Sequence, residues 1–152
     1  MRNETRRVSA VLLAAALATT LSSCVTPALD RGAFVENGKN ALDSAISATA
    51  SATMALNARV NGNATKAFSD VVVTDSEDAV APIENSFGGV DPPSDAEDQL
   101  RTSVLKAVGD AGDALSSARI AIRRDDADAM RQAVDDLDAA SQQLKTLRQS
   151  LG

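Results

Sequence analysis

Histidine, tryptophan and tyrosine are absent from this chain, cysteine occurs once, and the aromatic residues are limited to Phe34, Phe68 and Phe87. Without histidine there is no Ser-His-Asp or Cys-His relay and no His-ligated zinc, haem or copper. A single cysteine makes neither an internal disulfide nor an iron–sulfur ligand set. Three phenylalanines build no stacking platform for bases, and a net charge of −6 repels phosphate backbones, so nucleic acid is not an expected partner. What remains is ordinary for one folded domain: 152 residues, 44% of them hydrophobic. No cofactor, no metal and no enzymatic activity is expected.

Residues 1–23 have the layout of an export signal. Arg2, Arg6 and Arg7 give a basic start, and an apolar run from Ala10 to Leu21 follows. A helix of that length reaches roughly 18 Å, short of the roughly 30 Å hydrocarbon core, so it reads as a signal-peptide h-region rather than a membrane span. The run ends in Leu21-Ser22-Ser23-Cys24, an aliphatic residue, two small residues and a cysteine. In this the chain resembles bacterial lipoprotein precursors, whose signal peptides end in such a lipobox. The resemblance covers the first sixth of the chain. It implies a diacylglycerol on the Cys24 thiol, cleavage after Ser23, an acylated new N-terminus (palmitate being one such acyl group) and a lipid anchor on the extracytoplasmic face of the cell membrane. Other readings of the segment are ordinary cleavage near Ala16-Leu17-Ala18, a buried thiol at Cys24, and twin-arginine rather than general export through Arg6-Arg7, where Ser9 replaces a bulky apolar residue.

Cleavage would leave 12 basic and 20 acidic groups, a net charge of −8, so the lipid rather than surface charge must hold the protein to anionic membrane. Residues 24–37 contain Pro27 and Gly32, show weak periodicity and read as a lipidated tether of at most about 40 Å, with Phe34 and Val35 available to pack and shorten it. From residue 38 to 152 apolar residues recur in steps of three and four, which predicts helices. Leu42, Ile46, Thr49, Thr53, Leu56 and Val60 form a first stripe, and Asn61-Gly62-Asn63 supplies a stop and a new N-cap. Ala64, Phe68, Val71, Val72, Ala79 and Ile83 are expected to carry the second, with Pro82 kinking or ending it. Ser94 and Glu97 match a capping box ahead of a third stripe, Leu100, Val104, Val108, Ala111, Leu115, Ala118 and Ile122, in which Gly109 and Gly112 allow close helix approach. Asp125 or Asp126 caps a fourth helix, whose stripe is Met130, Val134, Leu137, Ser141, Leu144 and Leu151 with Leu147 beside it. Short connections predict an all-α antiparallel bundle of about four helices in two hairpins.

The Ala/Asp/Arg-rich body, the Pro92-Pro93 break and the C-terminal hairpin are similar in style to small helical lipoproteins common in actinobacteria, a likeness that implies no activity. Carboxylate clusters are the remaining chemistry. Asp125-Asp126-Ala127-Asp128 lacks the glycine and glutamate of a calcium loop and reads first as a helix start. Asp135 and Asp138 share a helix face, as solvated surface. Ser103 precedes Lys106 with Ser-x-x-Lys spacing but without the companion motifs of that chemistry. The sequon Asn63-Ala64-Thr65 reads as a cap. The expected function is a lipid-anchored envelope protein acting as a structural or protein-interaction module, with another envelope protein as partner. The alternative is a ligand- or cation-binding accessory or sensor.

Overall fold

A computed structural model describes Asp30–Gly152, and these residues form an all-α bundle of four helices. Helix α1 spans Arg31–Val60, α2 Lys66–Gly88, α3 Asp95–Arg124 and α4 Ala127–Ser150. A short polar side chain opens each, accepting from backbone N–H groups that the helix itself leaves unpaired. Asp30 accepts from the Ala33 N–H at 2.8 Å. Thr65 accepts from Phe68 at 3.2 Å, so the second helix is capped by Thr65 and not by Asn63. Asp126 accepts from Asp128 and Ala129 at 3.1 and 3.0 Å and is the cap of α4, while Asp125 takes the left-handed conformation (φ 54°) that ends α3.

Consecutive helices run antiparallel, as inter-helix contacts at both ends show. Across α1 and α2, the Ser69 hydroxyl donates to the Ala55 carbonyl near one end, and Phe87 lies over Gly38 near the other. Each helix packs on its two neighbours, with α1 against α4 closing the ring. Helices α1 and α3 also meet across the diagonal, while α2 and α4 do not touch. The diagonal contact follows from side-chain size. Both helices bury alanines, Ala41, Ala45 and Ala52 on α1 and Ala107, Ala111, Ala114, Ala118 and Ala121 on α3, so their backbones approach closely.

The helical domain begins earlier than residue 38. Helix α1 starts at Arg31, inside the expected tether of residues 24–37, because Asp30 caps it and Phe34 is fully buried against Phe87, ring centroids 5.2 Å apart. Gly38 packs beside that pair: a Cβ there would stand 3.4 Å from the Phe87 ring, in ordinary contact.

Helix α2 buries a different face from the expected one. Ser69, Val73, Ser76, Val80 and Phe87 point inward, with Ile83 packed beside them, while Phe68 and Val71 are exposed and Ala79 lies on the surface. Choosing the bulkiest apolar residues misplaces the stripe, because buried serines here satisfy themselves on carbonyls, Ser76 on Val72 at 2.8 Å and Ser69 on Ala55 at 3.2 Å. Helix α2 also continues through Pro82. Both Pro82 and Asp78, whose carbonyl loses its helical donor, lie at the surface, so that carbonyl is not left unpaired in a core.

The other stripes are close to expectation. Val104, Val108, Ala111, Leu115, Ala118 and Ile122 are buried on α3, and Met130, Leu137, Ser141 and Leu144 on α4, with Leu100, Val134, Leu147 and Leu151 packed at the edge. On α1, Leu42, Thr49 and Leu56 are buried while Ile46, Thr53 and Val60 are only partly so, and alanines fill the rest of that face. The capping box is altered. The Ser94 hydroxyl accepts from Ala96 at 3.3 Å and donates to Glu97, and the buried Glu97 carboxylate takes Arg31 of α1 at 2.9 Å rather than reaching the Ser94 N–H.

Candidate functional site

Cys24, the one residue with an expected chemical role, lies outside the described residues, as do residues 1–23. The structure nevertheless bounds its distance from the folded domain. Only six chain steps separate Cys24 from the cap Asp30, a reach of at most about 20 Å, half the stand-off expected for a tether extending to residue 37. A lipid at Cys24 would thus sit beside the end of the bundle formed by the start of α1, the Gly89–Ser94 connection and the C-terminus at Gly152.

The carboxylates singled out by the sequence are drawn into separate roles. Asp125 pairs with Arg59 of α1 at 2.7 Å, Asp126 caps α4, and Asp128 pairs with Arg131 one turn on. The three do not converge, and among the described residues no group of three acidic or other metal-ligating side chains does. Hydrogen bonding to the Arg59 guanidinium, and then its charge, holds the Asp125 carboxyl below its ordinary value. Asp135 and Asp138 are exposed. Asp136 accepts from Gln132 of its own helix at 2.9 Å.

Ser103 and Lys106 are turned to other partners. The serine hydroxyl donates to the Gln99 carbonyl at 2.9 Å, and the ammonium donates to Asp110 at 2.6 Å. Bonds from Lys106 and from Gln143 of α4 keep the Asp110 carboxyl below the usual range. Helices α2 and α3 are joined by two further pairs: Arg119 grips the Glu77 carboxylate through Nε and Nη2, and Arg123 meets Asp70 at 3.1 Å. The hydrogen bond to the Glu77 carboxylate, and then that group's charge, raises the already high Arg119 value further, so the guanidinium stays charged.

Beside those pairs runs a surface groove between α2 and α3 of about 510 Å³, lined by Glu77, Glu84, Lys106, Asp110 and Asp113. Gly109 and Gly112 form part of its wall. A Cβ at Gly112 would touch Val80 at 3.6 Å. A smaller groove of about 290 Å³ between α1 and α2 is lined by Asn37, Asn40, Ser44, Ile83, Phe87 and Val90. Both are open troughs of mixed polarity; the Ser116 hydroxyl, which also lines the larger one, accepts from Arg119 Nη2 at 3.5 Å.

The residues overlooked by periodicity are surface ones. Phe68 and Val71, read as core, are 56% and 58% exposed, and Met54 is 68% exposed. The signal that would have placed them was available: positions 69, 73, 76, 80, 83 and 87 step 4, 3, 4, 3, 4 once serine is admitted as a core residue. No described helix is long and apolar enough to cross a membrane. Compared with known proteins, the chain matches no family, no curated protein and no solved structure.

Proposed function

We propose that this chain is a lipid-anchored cell-envelope protein, held to the outer face of the cell membrane through Cys24, whose helical bundle serves as a non-enzymatic structural or protein-interaction module. The observation that carries the reading is the tetrapeptide Leu21-Ser22-Ser23-Cys24 at the end of an apolar run, holding the only cysteine in the chain. The early start of α1 is compatible with it, the described helical domain opening six chain steps after Cys24. Two or three acyl chains, at roughly 0.8 kcal/mol per buried methylene, make a stable anchor where one would be marginal.

The bundle's polar groups support the second half of the reading. Arg119, Arg123 and Arg148 each tie one helix to another through a carboxylate, and Arg59 ties α1 to Asp125 at the end of α3. Such pairs order a scaffold. Fatty-acid labelling of cells expressing the full chain, with Cys24→Ala beside it, tests the anchor: label and membrane fractionation are expected in the parent and lost in the variant. Label retained by Cys24→Ala, or a parent that fractionates as unlabelled soluble protein, overturns the proposal.

A further inference from the structure

The geometry points to Asn61, in the turn between α1 and α2, as a site of spontaneous covalent modification, where water converts the side-chain amide to a carboxylate while the fold protects the same dipeptide at residues 37–38.

Asn-Gly occurs twice in the chain, at Asn37-Gly38 and at Asn61-Gly62. The pair is reactive because the glycine nitrogen has no side chain beside it and can reach the asparagine amide. That nitrogen gives up its proton and bonds to the asparagine Cγ. The bond from Cγ to the amide nitrogen breaks, ammonia leaves with the proton, and a five-membered imide closes. Water then opens the ring. Attack at the side-chain carbonyl gives aspartate, and attack at the main-chain carbonyl gives isoaspartate, whose backbone runs through the former side chain.

Tertiary structure separates the two copies. Gly38 is buried within α1, with continuous helix on both sides and the Phe87 ring 3.4 Å from where its Cβ would stand. Freeing its nitrogen means breaking α1 beside the Phe34–Phe87 pair, an opening that takes part of the core with it. Asn61 instead follows the last residue of α1. Asn61, Gly62 and Asn63 are all exposed, Gly62 takes the left-handed conformation at φ 73°, and the space where its Cβ would stand is open. Two hydrogen bonds keep the reacting groups occupied: the Asn61 amide donates to the Asn57 carbonyl at 2.8 Å, and the Gly62 N–H donates to the Arg59 carbonyl at 3.0 Å. Both close the final turn of a helix, and such a turn frays without opening the core behind it.

The product acts on the end of α1. A carboxylate at position 61 has no proton to donate to the Asn57 carbonyl, and its charge faces the negative end of the helix dipole. Modification is therefore expected to loosen the last turn of α1.

Incubating the purified full chain in mildly alkaline buffer, with and without urea, tests this. Trypsin places the two sites in separate peptides, 32–39 and 60–66, and fragmentation of the second in the mass spectrometer tells Asn61 from Asn63. In the folded chain Asn61 is expected to convert at least about tenfold faster than Asn37, and in urea the two should convert at similar rates, since only folding distinguishes them. Asn61→Asp, which stands for one of the two products, should melt below the parent. Equal rates at the two asparagines in the folded chain overturn the proposal, as does conversion at Asn63 in place of Asn61, or a folded chain in which Asn61 stays intact while both sites convert in urea. An Asn61→Asp chain that melts with the parent overturns the loosening.

Discussion

The two hairpins solve the same packing problem with different residues. Between residues 95 and 150 the chain has nineteen charged side chains; between 31 and 88 it has eleven, with none across the middle of α1. The second hairpin is more sharply two-sided, burying Val104, Leu115, Ile122, Leu137 and Leu144 and giving most of its carboxylates, the buried Glu97 apart, to water. The first is blurred. It buries Thr49, Ser69 and Ser76 fully or nearly so while leaving Met54, Phe68 and Val71 outside. The difference shows that a buried hydroxyl satisfied by a helix carbonyl, as Thr49 is by Ala45 at 2.8 Å, serves as a small core residue.

Deleting a large core side chain from the second hairpin should break the contrast most severely. Leu115 is fully buried, and Leu115→Ala is expected to cost about 3 kcal/mol in urea unfolding, by lost transfer energy plus a cavity. Overpacking the alanine seam comes next. Ala111→Leu places three extra carbons on the face of α3 that meets the other helices and should destabilise by about 2 kcal/mol. The serine seam of α2 should respond more weakly and unevenly. Ser69→Ala removes a bond between helices and is expected to cost about 1 kcal/mol, whereas Ser76→Ala loses only a bond within its own helix and should change stability by less than about 0.5 kcal/mol. Equal effects for the two serines would show that the inter-helix bond contributes nothing of its own.

The smallest effect joins the two hairpins at their far end and depends on pH. The Arg59 guanidinium lowers the Asp125 value in the folded chain, so folding releases a proton from that carboxyl in the acid range. The resulting stabilisation is complete above the ordinary carboxylate range and is lost as pH falls below about 4 through the lowered value. Arg59→Gln should therefore flatten the acid limb of a plot of melting temperature against pH and leave its slope near neutrality unchanged.

Much of this arrangement was legible beforehand. Ser94 and Asp126 announced the starts of α3 and α4, and the aliphatic spacing of those helices picked their inner faces, because the charged residues between them leave one side only for the core. Helix α2 was not legible in the same way. Val71-Val72-Val73 offers three equivalent valines, and only packing buries Val73 alone while turning Val71 to solvent. Phe34 can be read as able to pack, but not onto what: nothing in its own neighbourhood says that Phe87, fifty-three positions later, lies over Gly38. The acidic loop at 125–128 was read correctly as a helix start, but its division of labour was not, since Arg59 comes from another helix.

By itself the sequence determined the helical class, the starts of α3 and α4, and the exclusions that follow from missing histidine and scarce aromatics, because capping, periodicity and composition act within a few residues. Only the tertiary structure decided which side of α2 is inside, that α1 rather than a tether holds Phe34, and that α1 and α3 touch across the diagonal. Those outcomes depend on the sizes of side chains brought together from distant positions, and local pattern contains no information about who the neighbour will be.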